Sequence, residues 1–441
     1  FCFITSNSWL DIEFGFKFQQ FLLRNMEIKA VYDNQAKRTF AESDINTVIS
    51  VFKRPAKPDL IASNVIRFVA FKKPFEQVLT DRNFTDMQHC VELCSTESYR
   101  CFAITQKQLW ELGLSEESLK QISLDRNQFV GDYVGDKWGA KFLRSPDIYF
   151  TLMRKAEGKL ISLRRIAELS YGLKTGINEF FLLDHSRLKE WNIEREFLKP
   201  IIVSTKDIRG YVVDETWTDT FLFSCGKEIS ELRSTNALKY IRWGEKQKTR
   251  ERGGYKKGGI PFPKVASVLG RKCWYDVGSR EPGDFIINQF IDKRFFFAIN
   301  KPGILVSNIV FEGRWNRGEK ELQNALLNSM LTFLFVEILG RVNLGEGLLT
   351  MYGPDIGLIP VLKTDVIPPK VRKEIVDAFQ MMKNRSVESI FEEVNETDRR
   401  KLDELVFEVI GLNEKEREEV YASLLSMVRR RLEKATSLGK V

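Results

Sequence analysis

Histidine is nearly absent: 441 residues hold only His89 and His185. A histidine-based acid–base site has almost nothing to be built from, and His185, directly after the apolar run FFLLD, reads as a turn residue. Also missing are GxxxxGK[ST], HExxH, GxSxG, a strand-linked GxGxxG and a paired CxxC, the spacings by which a chain holds phosphates, zinc or a nucleophile. The six cysteines are irregularly spaced, which argues against a disulfide framework and for a reducing, cytoplasmic setting. His89, Cys90, Cys94 and Cys101 cluster in sequence, but without knuckle spacing they read as buried thiols, and no metal is expected. The longest apolar run, residues 325–339, is interrupted by Asn328, Ser329 and Glu337; it is too polar to span a bilayer, no signal peptide opens the chain, and no membrane is expected as a partner. An initiating Met is missing too. Phe1 to Thr5 reads as a buried strand with no polar lead-in, so the chain is expected to be a fragment cut inside a domain.

What is present fits a folded chain, since 43% of residues are hydrophobic and 12% aromatic, and 441 residues predict two or three domains rather than one core. Lys plus Arg outnumber Asp plus Glu by 68 to 60, too small a surplus to identify a polyanionic partner by itself. Its distribution says more. Residues 238–280 carry twelve bases against only Glu245, Glu251 and Asp276.

The chain is organised around residues 163–183. An amphipathic run, LRRIAELS, leads into the turn YGLKTGIN and then the strand-like FFLL, a helix–loop–strand corner. Gly172 and Gly176 permit close backbone approach, while Lys174 and Thr175 offer a charge and a hydroxyl to a phosphate; an ordinary corner is the other reading.

Residues 1–54 have an α/β rhythm, with strands at 1–5, 28–32 and 48–52 and a helix at 14–23. Strand–helix–strand predicts a crossover in a mostly parallel sheet, whose remaining strands are expected to precede Phe1. Residues 56–156 are less regular, with strands at 64–71 and 101–104, a short helix at 106–112, and a Gly- and aromatic-rich connector at 132–148. From 160 to 365 the pattern turns to short strands, at 180–183, 211–213, 220–223, 273–276, 285–288, 295–299 and 304–311, around a polar, basic surface loop at 243–263. Trp274, Tyr275 and Trp315 interleave with Arg271 and Arg280, as groove-contacting surfaces do. A helix at 322–339 and an Arg341-bearing glycine-rich turn follow, then helices starting at Val366 (opened by Pro368-Pro369), Ser386, Thr397 and Asn413 that close onto the preceding domain.

In order, FCFITSNSWLD and IKAVYDNQAKRTFAESDINTVISVF resemble the later half of the catalytic domain of amino-group DNA methyltransferases, in particular the TaqI-like γ class that includes type IIG restriction–modification enzymes. GDKWGAKFLRSPDI, GLKTGINEFF, LQNALLNSM and GRVNLGEGLLTMYGPDIGLIPVL look like that family's linker and specificity domain. The resemblance implies an α/β front fragment at 1–55 (an incomplete Rossmann-like methyltransferase sheet), a connector at 56–158, a mixed α+β target-recognition domain at 159–365 and C-terminal helices at 366–441. The family's S-adenosylmethionine motif and its Asn-Pro-Pro-Tyr catalytic motif have no counterpart here, so no catalytic or cofactor-binding residue carries over. In the intact protein the resemblance implies S-adenosylmethionine-dependent methylation of adenine N6 after base flipping, with double-stranded DNA as partner and a restriction subunit or fused nuclease as a further one. Phe40 aligns with an aromatic that helps stack the flipped adenine, and it also fits a core position. Lys174, Thr175, Asn178, Arg242, Lys246, Arg250, Lys256, Lys257, Arg271, Arg314 and Arg341 are the expected DNA contacts, as bases and polar groups on loops. The competing reading is a non-catalytic protein–protein specificity or scaffold module whose basic loops are merely solvated.

Overall fold

The computed structural model describes residues 1–36, 46–121, 129–250, 259–342, 347–383 and 385–438, which form two compact units, Phe1–Thr151 and Leu152–Val441. The first is built on one sheet of six strands: β1 (Cys2–Ser6), β2 (Glu27–Asn34), β3 (Thr47–Lys53), β4 (Val65–Phe71), β5 (Leu93–Ser95) and β6 (Tyr99–Thr105), in the order β1-β3-β2-β4-β6-β5. Helix α1 (Glu13–Asn25) buries Leu22 and Leu23 and links β1 to β2.

The expected mostly parallel sheet needs correction: only β2 and β4 pair in parallel, and the other four pairings are antiparallel. The crossover itself is present, because β1 and β2 both run antiparallel to β3, which lies between them. The segment linking β2 to β3 carries no predicted helix, and strands joined without a crossover pair antiparallel. Residues in the expected connector supply β4, β5 and β6. The motif around Trp138 is core as well: its indole is fully buried, with ring centroids 6.0 Å from both Trp9 and Phe68. Buried Gln19 donates to the carbonyls of Trp9, Leu10 and Asp136, and buried Arg100 donates to those of Phe142, Leu143 and Ser145 at the end of the helical turn Gly139–Arg144. At the sheet's other side, β1 is an edge strand among the described residues. Phe3 (51% exposed) within it and Phe14 (70%) and Phe21 (55%) on α1 leave an apolar face uncovered.

In the second unit, β7 (Leu160–Ser162), β8 (Ala167–Tyr171), β9 (Leu182–Leu183), β10 (Leu198–Ile202), β11 (Phe221–Phe223), β12 (Phe285–Asn288), β13 (Phe290–Ile291), β14 (Phe297–Ile299), β15 (Leu305–Val306), β16 (Val310–Trp315), β17 (Leu349–Thr350) and β18 (Pro360–Leu362) are all short. They form two four-stranded sheets, β15-β10-β11-β9 and β14-β12-β16-β8, and two pairs, β13-β17 and β18-β7. The central corner differs in part from the expected one: Leu163–Arg165 is helical and Leu182–Leu183 a strand, but the elements between them are exchanged. LRRIAELS ends in strand β8, and Asn178–Phe181 is a helical turn. Phe180 and Phe181 are both fully buried, so adjacent apolar residues gave no alternation to read, while Ala167, Leu169 and Tyr171 alternate as a strand requires. Residues 211–213 and 273–276 form no strand, although Tyr211, Val213 and Tyr275 are core.

The basic stretch begins in helix α2 (Asn236–Glu245), which buries Ala237, Tyr240 and Ile241. Beyond it, Lys248 and Pro261 bridge antiparallel across the expected surface loop. The expected helix at 322–339 is two, α3 (Lys320–Leu327) and α4 (Met330–Leu339), bent by 61°. Asn328 exchanges hydrogen bonds with the backbone of Phe297, and Ser329 caps α4 by accepting from Thr332 N; both polar side chains compete with a continuous helix. All ten residues of α4 are buried. No single helix among the described residues is long and apolar enough to cross a membrane.

Helix α5 (Pro369–Met382) starts on Pro368-Pro369 as expected, followed by α6 (Thr397–Ile410) and α7 (Glu414–Leu438). Buried ion pairs fix these helices to the rest of the unit. Fully buried Arg399 lies 3.2 Å from Glu393 and donates to Tyr211 Oη at 2.6 Å, and Arg431 on α7 sits 2.9 Å from Glu337 on α4.

Candidate nucleic-acid interface

The turn after β8 is held by backbone. Gly172 N donates to Val310 O and Leu173 N to Val306 O, and Gly172 packs so tightly on the carbonyls of Val306 and Ser307 that a Cβ there has no room. Gly176 has φ +86°, a left-handed conformation that glycine adopts freely. The two glycines thus serve a neighbouring strand and a turn. Between them Lys174 is exposed, whereas Thr175 is 2% exposed and its hydroxyl donates to Asn178 Oδ1. Asn178 starts the helical turn and is exposed. Arg271 braces the turn from behind: its Nη2 donates to Thr175 O at 2.8 Å, and its guanidinium carbon stands 5.3 Å from the Phe181 ring centroid.

Other expected contacts divide in the same way. Arg242 is exposed but paired with Glu245 at 2.9 Å, one turn along α2. Lys246 and Arg250 are exposed and, like Lys174, have no ion pair among the described residues. Arg341 is half-buried and committed to Asp355, itself 1% exposed, at 2.8 Å and 2.9 Å, with its guanidinium 4.8 Å from the Tyr352 ring centroid. Arg314 is exposed on β16 and donates from Nη2 to the carbonyls of Glu281 and Pro282. Lys256, Lys257 and Phe40 lie outside the described residues. The aromatics expected to interleave with arginine are mostly core: Tyr275 is 3% and Trp315 6% exposed, and Trp274 packs 4.5 Å from Phe180.

What results is a basic rim of three exposed cations without an ion pair among the described residues, Lys174 on one turn and Lys246 and Arg250 after α2, on elements that bury Phe180, Phe223 and Tyr240 in one aromatic core. Exposed, unpaired cations suit phosphate, which asks for charge rather than a fixed shape. Missed in the sequence were Glu168, Ser170 and Glu312, which the pairing of β8 with β16 places along one face of the sheet, where Arg280, expected among the groove-contacting arginines, joins them. Their signal, ExS and ExR at two-residue spacing, acquires meaning only once the register is known. The thiols do not gather a metal set: Cys90 Sγ donates to Cys101 O at 3.4 Å, Cys101 Sγ to Met87 O at 3.7 Å, and among the described residues no three His, Cys, Asp or Glu are placed to hold an ion.

Residues 135–397 match the family described as "Type II methyltransferase M.Eco57I, C-terminal domain". The type II methyltransferase M.AccI of Acinetobacter calcoaceticus is 24% identical over 176 residues, covering 38% of this chain and 28% of that protein. The solved type IIG restriction endonuclease BpuSI superposes with a TM-score of 0.50 at 13% identity, over 98% of this chain and 47% of that one. The type IIL restriction-modification enzyme MmeI, solved in complex with DNA, gives a TM-score of 0.44 at 13% identity, over 98% of this chain and 50% of that one. The chain thus corresponds to no more than about half the length of these relatives.

Proposed function

The chain belongs to the family of the type II methyltransferase M.Eco57I C-terminal domain, and from that premise we propose that it is the DNA-recognising portion of a site-specific adenine-N6 methyltransferase of a restriction–modification system. The observation that carries this reading is the rim of unpaired cations, Lys174, Lys246 and Arg250, inside the matched residues. Residues 159–365 serve as the target-recognition domain and the helices of 366–441 close it. Lys174, Lys246 and Arg250 bind phosphate and set the register of the duplex, Asn178 and Arg242 lie beside them, and Thr175, Arg271 and Arg341 hold the loops in shape. Lys256 and Lys257, on the same basic stretch, extend the phosphate-binding set, and Phe40 stacks the flipped adenine.

S-adenosylmethionine supplies the methyl group in the intact protein. This chain's residues do not fit that cofactor: its strands carry no glycine-rich end, and no Asn-Pro-Pro-Tyr segment is present to hold the target amine. The apolar face left open by β1 and α1 supports a sheet that continues in further strands of the intact protein, where both motifs belong. A restriction subunit or fused nuclease is the further partner.

Charge reversal at Lys174, Lys246 and Arg250 tests the reading. All three are exposed, so folding is unaffected, and duplex binding by the chain should fall at least tenfold. Unchanged binding would overturn it.

A further inference from the structure

One face of the β8–β16 pair forms a polar cleft of about 330 Å³. Register places Glu168 beside Arg314 and Ser170 beside Glu312, and the two-residue period of a strand brings all four to the same side. The floor is built. Glu312 is 3% exposed, ion-pairs with Arg280 and accepts from Gly283 N at 2.9 Å. Arg280 also donates to Ser170 Oγ at 2.8 Å. These bonds fix the loop whose carbonyls, at Glu281 and Pro282, hold one nitrogen of Arg314. Its remaining guanidinium donors are uncommitted, and the Glu168 carboxylate has no partner among the described residues. Directly opposed residues of an antiparallel pair have Cβ atoms ~5 Å apart, so a guanidinium donor and a carboxylate acceptor that do not pair with each other rise from neighbouring positions on one face.

Phosphate does not suit this cleft. Glu168, Glu281 and Glu312 outnumber Arg280 and Arg314 along its lining, and an unpaired carboxylate repels an anion. A base pair suits it well. In the major groove guanine presents two acceptors, O6 and N7, and its partner cytosine presents an N4 amine donor. The cleft also adjoins the basic rim, since Arg280 donates to Tyr171 O at the root of the Lys174 turn.

Resting on the DNA-recognition reading above, we propose that this cleft reads one G·C pair of the target, with Arg314 donating to guanine and Glu168 accepting from the cytosine amine. Arg280 and Glu312 are positioning residues that hold the loop carrying Arg314. Neither Glu168 nor Arg314 is buried, so Glu168→Gln and Arg314→Ala should fold as the parent does.

The test is selection from a pool of randomised duplexes with the 441-residue chain, followed by sequencing of the bound fraction. The parent should enrich a motif containing a fixed G·C pair. Each variant should lose about tenfold or more of the preference at that one pair, keep the preferences elsewhere, and retain its dependence on salt. An identical motif for parent and variants overturns the inference and leaves DNA recognition standing, whereas a parent that binds the pool without enriching any pair overturns the inference and leaves only phosphate binding. A parent that binds no duplex at all overturns the recognition reading and the inference together.

Discussion

Asp403 is a carboxyl with no access to water, surrounded by groups that only partly replace it. It accepts from Met330 N at 2.8 Å and Tyr421 Oη at 3.2 Å, with Arg399 nearby, and burial pushes it up to about 7. The folded chain therefore keeps a proton that the unfolded chain releases near pH 4. Its stabilising contribution is complete below about pH 4 and is lost as pH rises to about 7. We expect Asp403→Asn to flatten the stability profile across that window by on the order of 1 kcal/mol per pH unit, read from urea midpoints at successive pH values. An unchanged slope would show that Asp403 is ionised in the fold. Side chains such as these were invisible in the sequence: Arg399 and Asp403 look like surface charges on an amphipathic helix, and only the packing of α6 against α4 makes them buried. The same blindness affected the site. Lys174 is exposed, as a lysine between two glycines suggests, but Thr175, Arg271 and Arg341, which hold backbone or a buried carboxylate, look the same in sequence as exposed polar groups.

The turn between β8 and the Asn178–Phe181 helix shows how elements were read and misread. Its glycines were recognised as a close-approach device, and Gly172 does meet the carbonyls of Val306 and Ser307. Gly172→Ala should push those carbonyls away and cost about 1–3 kcal/mol of stability, measured by denaturation against the parent. A neutral effect would mean that the neighbouring strand yields easily. Periodicity located α1 and the start of α5 because their apolar residues repeat cleanly and Pro369 marks a first turn. It failed where apolar residues run together, at Phe180–Phe181, and where Asn328 and Ser329 turn their polar groups back on the chain. Strand direction was the other loss, since β3 enters between β1 and β2 and nothing in a local pattern records which neighbour a strand will take.

Two compact units, meeting in sequence at Thr151 and Leu152, carry different parts of the account. The first offers an open apolar face beside β1, and the second carries the basic rim and the G·C cleft on a core held by buried ion pairs. The family match begins at residue 135 and runs to 397, so it covers most of the second unit and the buried Trp138 motif of the first. The central claim is that the second unit holds duplex DNA by its phosphates. Affinity of the chain for duplex, measured from about 50 to 200 mM salt, tests it most directly. Lys174, Lys246 and Arg250 alone predict a log–log slope of about −3, and steeper if the neighbouring lysines join them. Association that ignores salt, or no association at low salt, would contradict the account.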